Sequence, residues 1–167
     1  VQMNRFSGTA ARPFLLQARD GGFDHPAVTF MLAVIALEEE KLDEADTLAG
    51  EAIERYTTLE DPQNVGEAWF VRGEVARARK NPKVAKAHYA KALTANPLHA
   101  PSILATATLI AEASTPDDAV EYVAGRLQPF MLEGPLDGAG VRQVGMNLET
   151  IVFMATEPLA TQISRDA

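Results

Sequence analysis

The chain has 167 residues, no cysteine and a formal net charge of −8, with 47% hydrophobic and 23% charged residues. That is the length of one domain or one short repeat array, with enough apolar material for a core, so a wholly disordered chain is excluded. Disulfides, thiolate metal sites and cysteine nucleophiles are excluded too, and the acidic balance argues against the basic surface that a nucleic-acid binder needs.

Aromatic residues are few, at 7%, and alanine is plentiful, which favours closely packed helices over sheets. The longest unbroken apolar run, Phe30 to Leu37, is too short to span a bilayer. Arg5, Arg12 and Arg19 have no apolar signal core between them. The start at Val1 suggests a processed form or a piece of a longer protein. These features leave the compartment unknown, with a cytoplasmic location favoured and the periplasm as the alternative if a signal peptide has been removed.

In chain order, residues 1–25 carry a weak helical trace, Ala11, Leu15 and Ala18, interrupted by Pro13. It suits the second helix of a partial repeat. From Pro26 the helical register is clearer: Thr29, Ala33 and Ala36 lie on one face, then Ala45, Ala49 and Ala52 on the next, with a turn at Glu40 to Glu44. The run Glu38-Glu39-Glu40 lies at a helix C-terminus, where negative charge is unfavourable, and reads as a solvated end followed by Lys41. Thr57 to Val65 is polar and contains Asp61-Pro62, so a longer helix end and a loop are predicted there.

Trp69, Gly73 and Ala76 again share one helical face, and so do Ala85, Tyr89 and Ala92. Between them, Arg79-Lys80-Asn81-Pro82 reads as a turn in which Asn81 takes the left-handed conformation and Pro82 opens the next helix. Gly73, Ala76, Ala85 and Ala92 leave room for close backbone approach, and Trp69 and Tyr89 fill the wider ends. Asn96-Pro97 closes the unit. Ile103, Ala107 and Ile110, then Ala119 and Val123, repeat the register. Thr115, Pro116 and Asp118 read as N-cap, first-turn proline and capping acid. Residues 133–140 are a Gly-rich flexible break. Within 141–167, Val144, Leu148, Ile151, Val152, Ala155 and Leu159 follow helical spacing, with Met146, Phe153 and Met154 opposite, up to Pro158.

The segment Ala68-Trp69, Gly73, Ala76, Ala85, Tyr89, Ala92 and Pro97 resembles a tetratricopeptide repeat in its period of about thirty-four residues and its order of aromatic, glycine, small and proline positions. Units at about 26–59, 66–99 and 100–132 cover roughly two thirds of the chain. The first departs from the pattern at Thr29, where a bulky aromatic is expected, and in its extra residues Glu60 to Val65. The third departs at Arg126 and Met131. The resemblance implies an all-α, right-handed superhelix of about three helical hairpins with flanking N- and C-terminal helices. It further implies a concave groove lined by the first helix of each unit: Phe30, Val34 and Leu37; Phe70, Glu74 and Arg77; Leu104, Thr108 and Ala111. Some members of the family grip a C-terminal carboxylate with Lys and Asn there. Phe30, Phe70, Val34 and Glu74 stand in those places, so a carboxylate clamp is not supported. The expected groove is mostly apolar with a Glu74–Arg77 charged spot, which suits an amphipathic helix or extended apolar segment.

Little points to catalysis. His25, His88 and His99 show no metal-ligand spacing. Gly138-Ala139-Gly140 with Gly145 lacks the strand and the Lys-Ser/Thr of a phosphate loop, and no nucleophile elbow occurs. The basic stretch Arg72, Arg77, Arg79, Lys80, Lys83 and Lys86, interrupted by Glu74, reads as a solvated helix surface. The expectation is a non-enzymatic interaction scaffold without cofactor or metal, holding a protein or peptide partner, with no nucleic acid and no membrane insertion. The alternatives are a structural protein that homo-oligomerises through its C-terminal helix, and a regulatory fragment of a larger protein. The C-terminal helix alternatively caps the repeats or fills the groove.

Overall fold

Prolines mark most helix starts. A proline lacks an N–H that the first helical turn cannot use, and its φ is already helical. The computed structural model describes residues 10–132, and among these every regular element is helical: α1 (Arg12–Asp20), α2 (Pro26–Glu38), α3 (Leu42–Thr58), α4 (Pro62–Ala78), α5 (Pro82–Ala95), α6 (Ala100–Ala113) and α7 (Pro116–Leu132). Pro13, Pro26, Pro62, Pro82, Pro101 and Pro116 each occupy one of the first two helical positions. The expected flexible break at 133–140 and the C-terminal helix at 141–167 lie outside the described residues.

Side chains complete several of these starts. His25 Nδ1 accepts from Ala27 N at 3.2 Å, Asp61 from Asn64 N at 3.1 Å, and Asn81 from Val84 N at 3.2 Å. At α7, Thr115 Oγ1 accepts from Asp118 N and Asp118 Oδ2 accepts from Thr115 N, both at 3.2 Å. This is the reciprocal cap that the sequence predicts.

The turns after α2, α3 and α4 are built alike. Glu40, Glu60 and Lys80 sit in the left-handed region at φ 59°, 54° and 56°. In each turn the next amide reaches back to the helix: Lys41 N to Ala36 O at 2.8 Å, Asp61 N to Tyr56 O at 3.0 Å, Asn81 N to Ala76 O at 2.9 Å. A second bond in each, from Glu40 N, Glu60 N and Lys80 N to Leu37 O, Thr57 O and Arg77 O, completes the paired closure of a helix C-terminus. Two expectations are corrected here. The left-handed residue is Lys80 rather than Asn81, because the Asn81 side chain is committed to capping α5. The predicted loop around Thr57 to Val65 contracts to Leu59, Glu60 and Asp61, and the extra residues lengthen α3 and α4 to 17 residues each.

The chain divides into two compact units, Val1–Ser102 and Ile103–Ala167, and the division falls inside α6. In the first unit α2 packs on α3, α3 on α4 and α4 on α5, α2 also touches α4, and α1 lies on α2. One core cluster joins Val28, Leu32, Ala33 and Ala36 of α2, Ala45, Leu48 and Ala49 of α3, and Val71 and Val75 of α4, with Leu15 and Leu16 of α1 against it. A second joins Ala52, Ile53 and Tyr56 to Ala68. The small-residue register holds in the first unit: Ala33, Ala36, Ala45, Ala49, Ala52, Ala68, Ala85 and Ala92 are all fully buried. In the second unit the buried face of α6 is Ile103, Thr106 and Leu109, with Ala119 and Leu127 on α7. The predicted Ala107 and Ile110 are only half-buried, so the packing face is turned from the expected one. No helix among the described residues is long and apolar enough to cross a membrane.

Candidate functional site

A glycine opens the way to the main site. An ideal Cβ on Gly73 would lie 2.2 Å from Cε1 and 2.4 Å from Cδ1 of Tyr89, so only glycine lets the ring of α5 lie against the α4 backbone. Tyr89 is wholly buried, yet its hydroxyl donates to Glu74 Oε1 at 2.5 Å. Glu74 Oε2 accepts from Arg77 Nη2, also at 2.5 Å. A single contact on α4 thus fixes a row of polar groups. Burial, then the bond to Glu74, pushes the Tyr89 phenol above its ordinary pKa. Glu74 in turn raises that of Arg77.

Glu74 and Arg77 border a cavity of about 610 Å³, shared with Leu37, Glu38, Glu40, Leu42 and Ala78. The C-terminal ends of α2 and α4 and the first residue of α3 form it. Its apolar part is Leu37, Leu42 and Ala78, and its charged part is Glu38, Glu40, Glu74 and Arg77. Glu39, between the two lining glutamates, is occupied elsewhere: it accepts from Arg12 at 2.9 Å and pairs with Lys41 at 2.7 Å. Those contacts, Lys41 first, hold its carboxyl below the usual range.

Of the groove residues inferred from the resemblance, Leu37, Glu74 and Arg77 come together here. Phe30 and Val34 pack against the core, and Phe30 meets Tyr56 edge-on at 6.4 Å between ring centres. Phe70 lies between Tyr89 and His99, at 5.7 and 5.5 Å. Leu104 and Thr108 belong to the second unit, where Leu104 is half-buried and Thr108 is exposed with its hydroxyl donating to Leu104 O at 3.0 Å. Ala111 is half-buried in the same helix. Glu38, Glu40, Leu42 and Ala78 are not among the groove residues expected from the sequence. For Glu38 and Glu40 the acidic run at a helix C-terminus is the available signal, because that placement breaks a local electrostatic rule.

Three other polar groupings invite a chemical reading. His99 is buried, with Nδ1 2.8 Å from Ser102 Oγ and Nε2 3.2 Å from Glu67 Oε1, an acid–histidine–serine order. Nδ1 also accepts from Ser102 N at 3.3 Å, so the ring caps the start of α6, with Nε2 turned toward Glu67. The histidine bond, outweighing burial, lowers the Glu67 pKa. Ser102 is fully buried, so its hydroxyl faces no substrate.

The second grouping surrounds Trp69. His88 stacks on the indole at 5.4 Å, with Lys91 Nζ 4.3 Å and Arg72 Cζ 5.4 Å from the ring centre. Burial, followed by the charges of Arg72 and Lys91, depresses the His88 pKa, and its Nδ1 is buried without a hydrogen-bond partner. The third is the basic stretch itself. Arg72 and Arg79 hold Asp46 at 2.6 and 3.4 Å, and Arg79 also pairs with Asp43. Burial works against the Asp46 carboxylate, but the arginines outweigh it and keep its pKa low. These cations are committed to clamping α4 onto α3. Among the described residues no group of three or more His, Asp or Glu is placed to hold a metal ion.

Comparison with protein-family models and with characterised proteins found no match.

Proposed function

We propose that the chain is a non-enzymatic interaction scaffold of the tetratricopeptide-repeat kind, which holds a protein or peptide partner at the concavity bordered by Leu37, Leu42, Glu74, Arg77 and Ala78. The observation that carries this reading is the cavity itself. It is a half-open concavity where helix ends meet, with both apolar and charged walls. Supporting it, α2, α3, α4 and α5 pack in succession through small residues, and Gly73 and Tyr89 meet across one helix pair. In a superhelix, Phe30, Val34 and Phe70 would support the groove from below.

The polar groupings support a non-enzymatic reading, since each already serves the fold by capping α6, stacking on Trp69 or tying α4 to α3. The test is affinity capture with the full chain and two variants. Ala78 is exposed at the cavity, and Lys83 is exposed on α5. A partner retained by wild type and by Lys83→Tyr, but lost with Ala78→Tyr, is the expected result. A partner retained equally by all three would place binding elsewhere.

A further inference from the structure

Away from the cavity, the His99 cluster is a helix cap, and exposed Phe14 and Phe23, the latter stacked on His25, show no feature that defines a partner. The cavity between α2, α3 and α4 carries more. Its electrostatics are unbalanced: Glu38, Glu40 and Glu74 face one cation, Arg77, which is bound to Glu74. The neighbouring cations Arg12 and Lys41 are drawn to Glu39, and Arg12 also to Glu44. Among the described residues, no cation pairs with Glu38 or Glu40.

Two helices also end here, and each C-terminus adds partial negative charge. The two ends treat that field in opposite ways. After α4 the chain continues Arg79-Lys80, which suits it; after α2 it continues Glu39-Glu40, which opposes it. The left-handed backbone is common to both turns, so the difference lies in charge alone. Local rules broken in this manner are expected at functional or strained sites.

We infer that the cavity takes a basic side chain, Lys or Arg, of a partner segment whose flanking apolar residues rest on Leu37, Leu42 and Ala78. The aliphatic stem of such a side chain suits the apolar wall, and its charged head suits the glutamates at the rim. A cavity of about 610 Å³ has room for it together with part of a neighbouring residue. Glu74 is held in place from behind by the buried Tyr89 hydroxyl, so one carboxylate of the three is preorganised. Arg77 would disfavour a second cation beside the first, which sets the preference at one basic residue rather than a run of them.

The inference rests on the reading of this cavity as a partner site, and the experiment separates the two. The probes are three blocked heptapeptides with a central Lys, Met or Glu between two leucines. Each is titrated into the ¹⁵N-labelled full chain at low salt, and amide shifts are followed. The Lys peptide is expected to shift the amides of Leu37 to Leu42 and of Ala78, and to bind about tenfold more tightly than the Met peptide, as two weak surface ion pairs allow. Glu38→Gln/Glu40→Gln should erase that preference, and both positions are exposed, so the fold is preserved. If the Met peptide shifts the same amides with equal affinity, the partner site stands and the charge inference falls. If no peptide moves these amides, both fall.

Discussion

Replacing Gly73 with alanine is the most informative single change in the first unit. The new Cβ would meet Tyr89 at 2.2 and 2.4 Å, against an ordinary carbon–carbon contact of about 3.5–4.0 Å. The ring must therefore move by more than about 1 Å, yet Tyr89 is fully buried and its hydroxyl is tied to Glu74. Overpacking of this kind costs about 1–3 kcal/mol, and losing a hydrogen bond to a charged group about 1.5–3 kcal/mol. Alanine's better helix propensity offsets about 1 kcal/mol. The net expectation is a loss of about 1.5–5 kcal/mol, or about 3–20 °C in Tm.

Gly50 in α3 supplies the control, because a Cβ there meets nothing within 4 Å. Gly50→Ala should stabilise by about 0.5–1 kcal/mol. Urea denaturation followed by far-UV circular dichroism and by fluorescence of Trp69, the chain's one tryptophan, measures both. The two Gly→Ala changes are expected to have opposite signs. If Gly73→Ala proved neutral or stabilising, the close approach of Tyr89 to α4 would be wrong, and with it the anchoring of Glu74 at the cavity.

Further predictions concern turns, caps and pH. Lys80→Gly should stabilise by about 0.5–1 kcal/mol by relieving the left-handed backbone, while Asn81→Ala should cost about 1 kcal/mol through the lost α5 cap; urea midpoints check both, and the reverse pattern would restore Asn81 as the left-handed residue. Glu40→Gly and Glu60→Gly should each stabilise by about the same amount as Lys80→Gly, as the three turns share one geometry. His88 has a depressed pKa, so the unfolded chain binds its proton more readily; stability is full above the unfolded value of about 6.5 and falls as pH drops through the window down to the lowered folded value. His88→Phe keeps the stack on Trp69 and should flatten the pH dependence just below about 6.5; an unchanged slope would contradict this. Asp46 and Glu67 have lowered pKa values, so their contribution is present above the unfolded values of about 4 and is lost as pH falls through the folded ones.

Much of the helical framework could be read directly from the chain, because it rests on local chemistry. Prolines at helix starts, the Thr115–Asp118 cap and the alanine register depend on neighbours a few residues away. The errors came where one residue had two locally sensible uses. Asn81 suits a left-handed turn and a helix cap alike, and only the geometry of the following helix selects the cap, leaving the turn to Lys80. The polar stretch around Asp61-Pro62 suits a loop or a helix start, and the Glu60 turn resolves it as the latter.

The candidate site was less legible, since a cavity is a long-range property. Leu37, Glu74 and Arg77 lie on the groove face that the resemblance implies, but Leu42 and Ala78 reach the cavity only through the packing of α2, α3 and α4. Phe30 and Phe70 have the apolar character expected of groove residues, yet their rings are engaged with Tyr56, Tyr89 and His99. No one-dimensional pattern distinguishes an aromatic that faces a partner from one that supports the surface behind it.

The central claim, that this cavity receives a partner, is tested most directly by placing a photo-crosslinking residue at Ala78 in the full chain within its own cell, with Lys83 as the control position. The account expects one discrete cross-linked partner from Ala78, absent from Lys83 and lost when Glu38 and Glu40 are both reversed to lysine. Identical products from both positions, or an Ala78 product indifferent to that reversal, would contradict it.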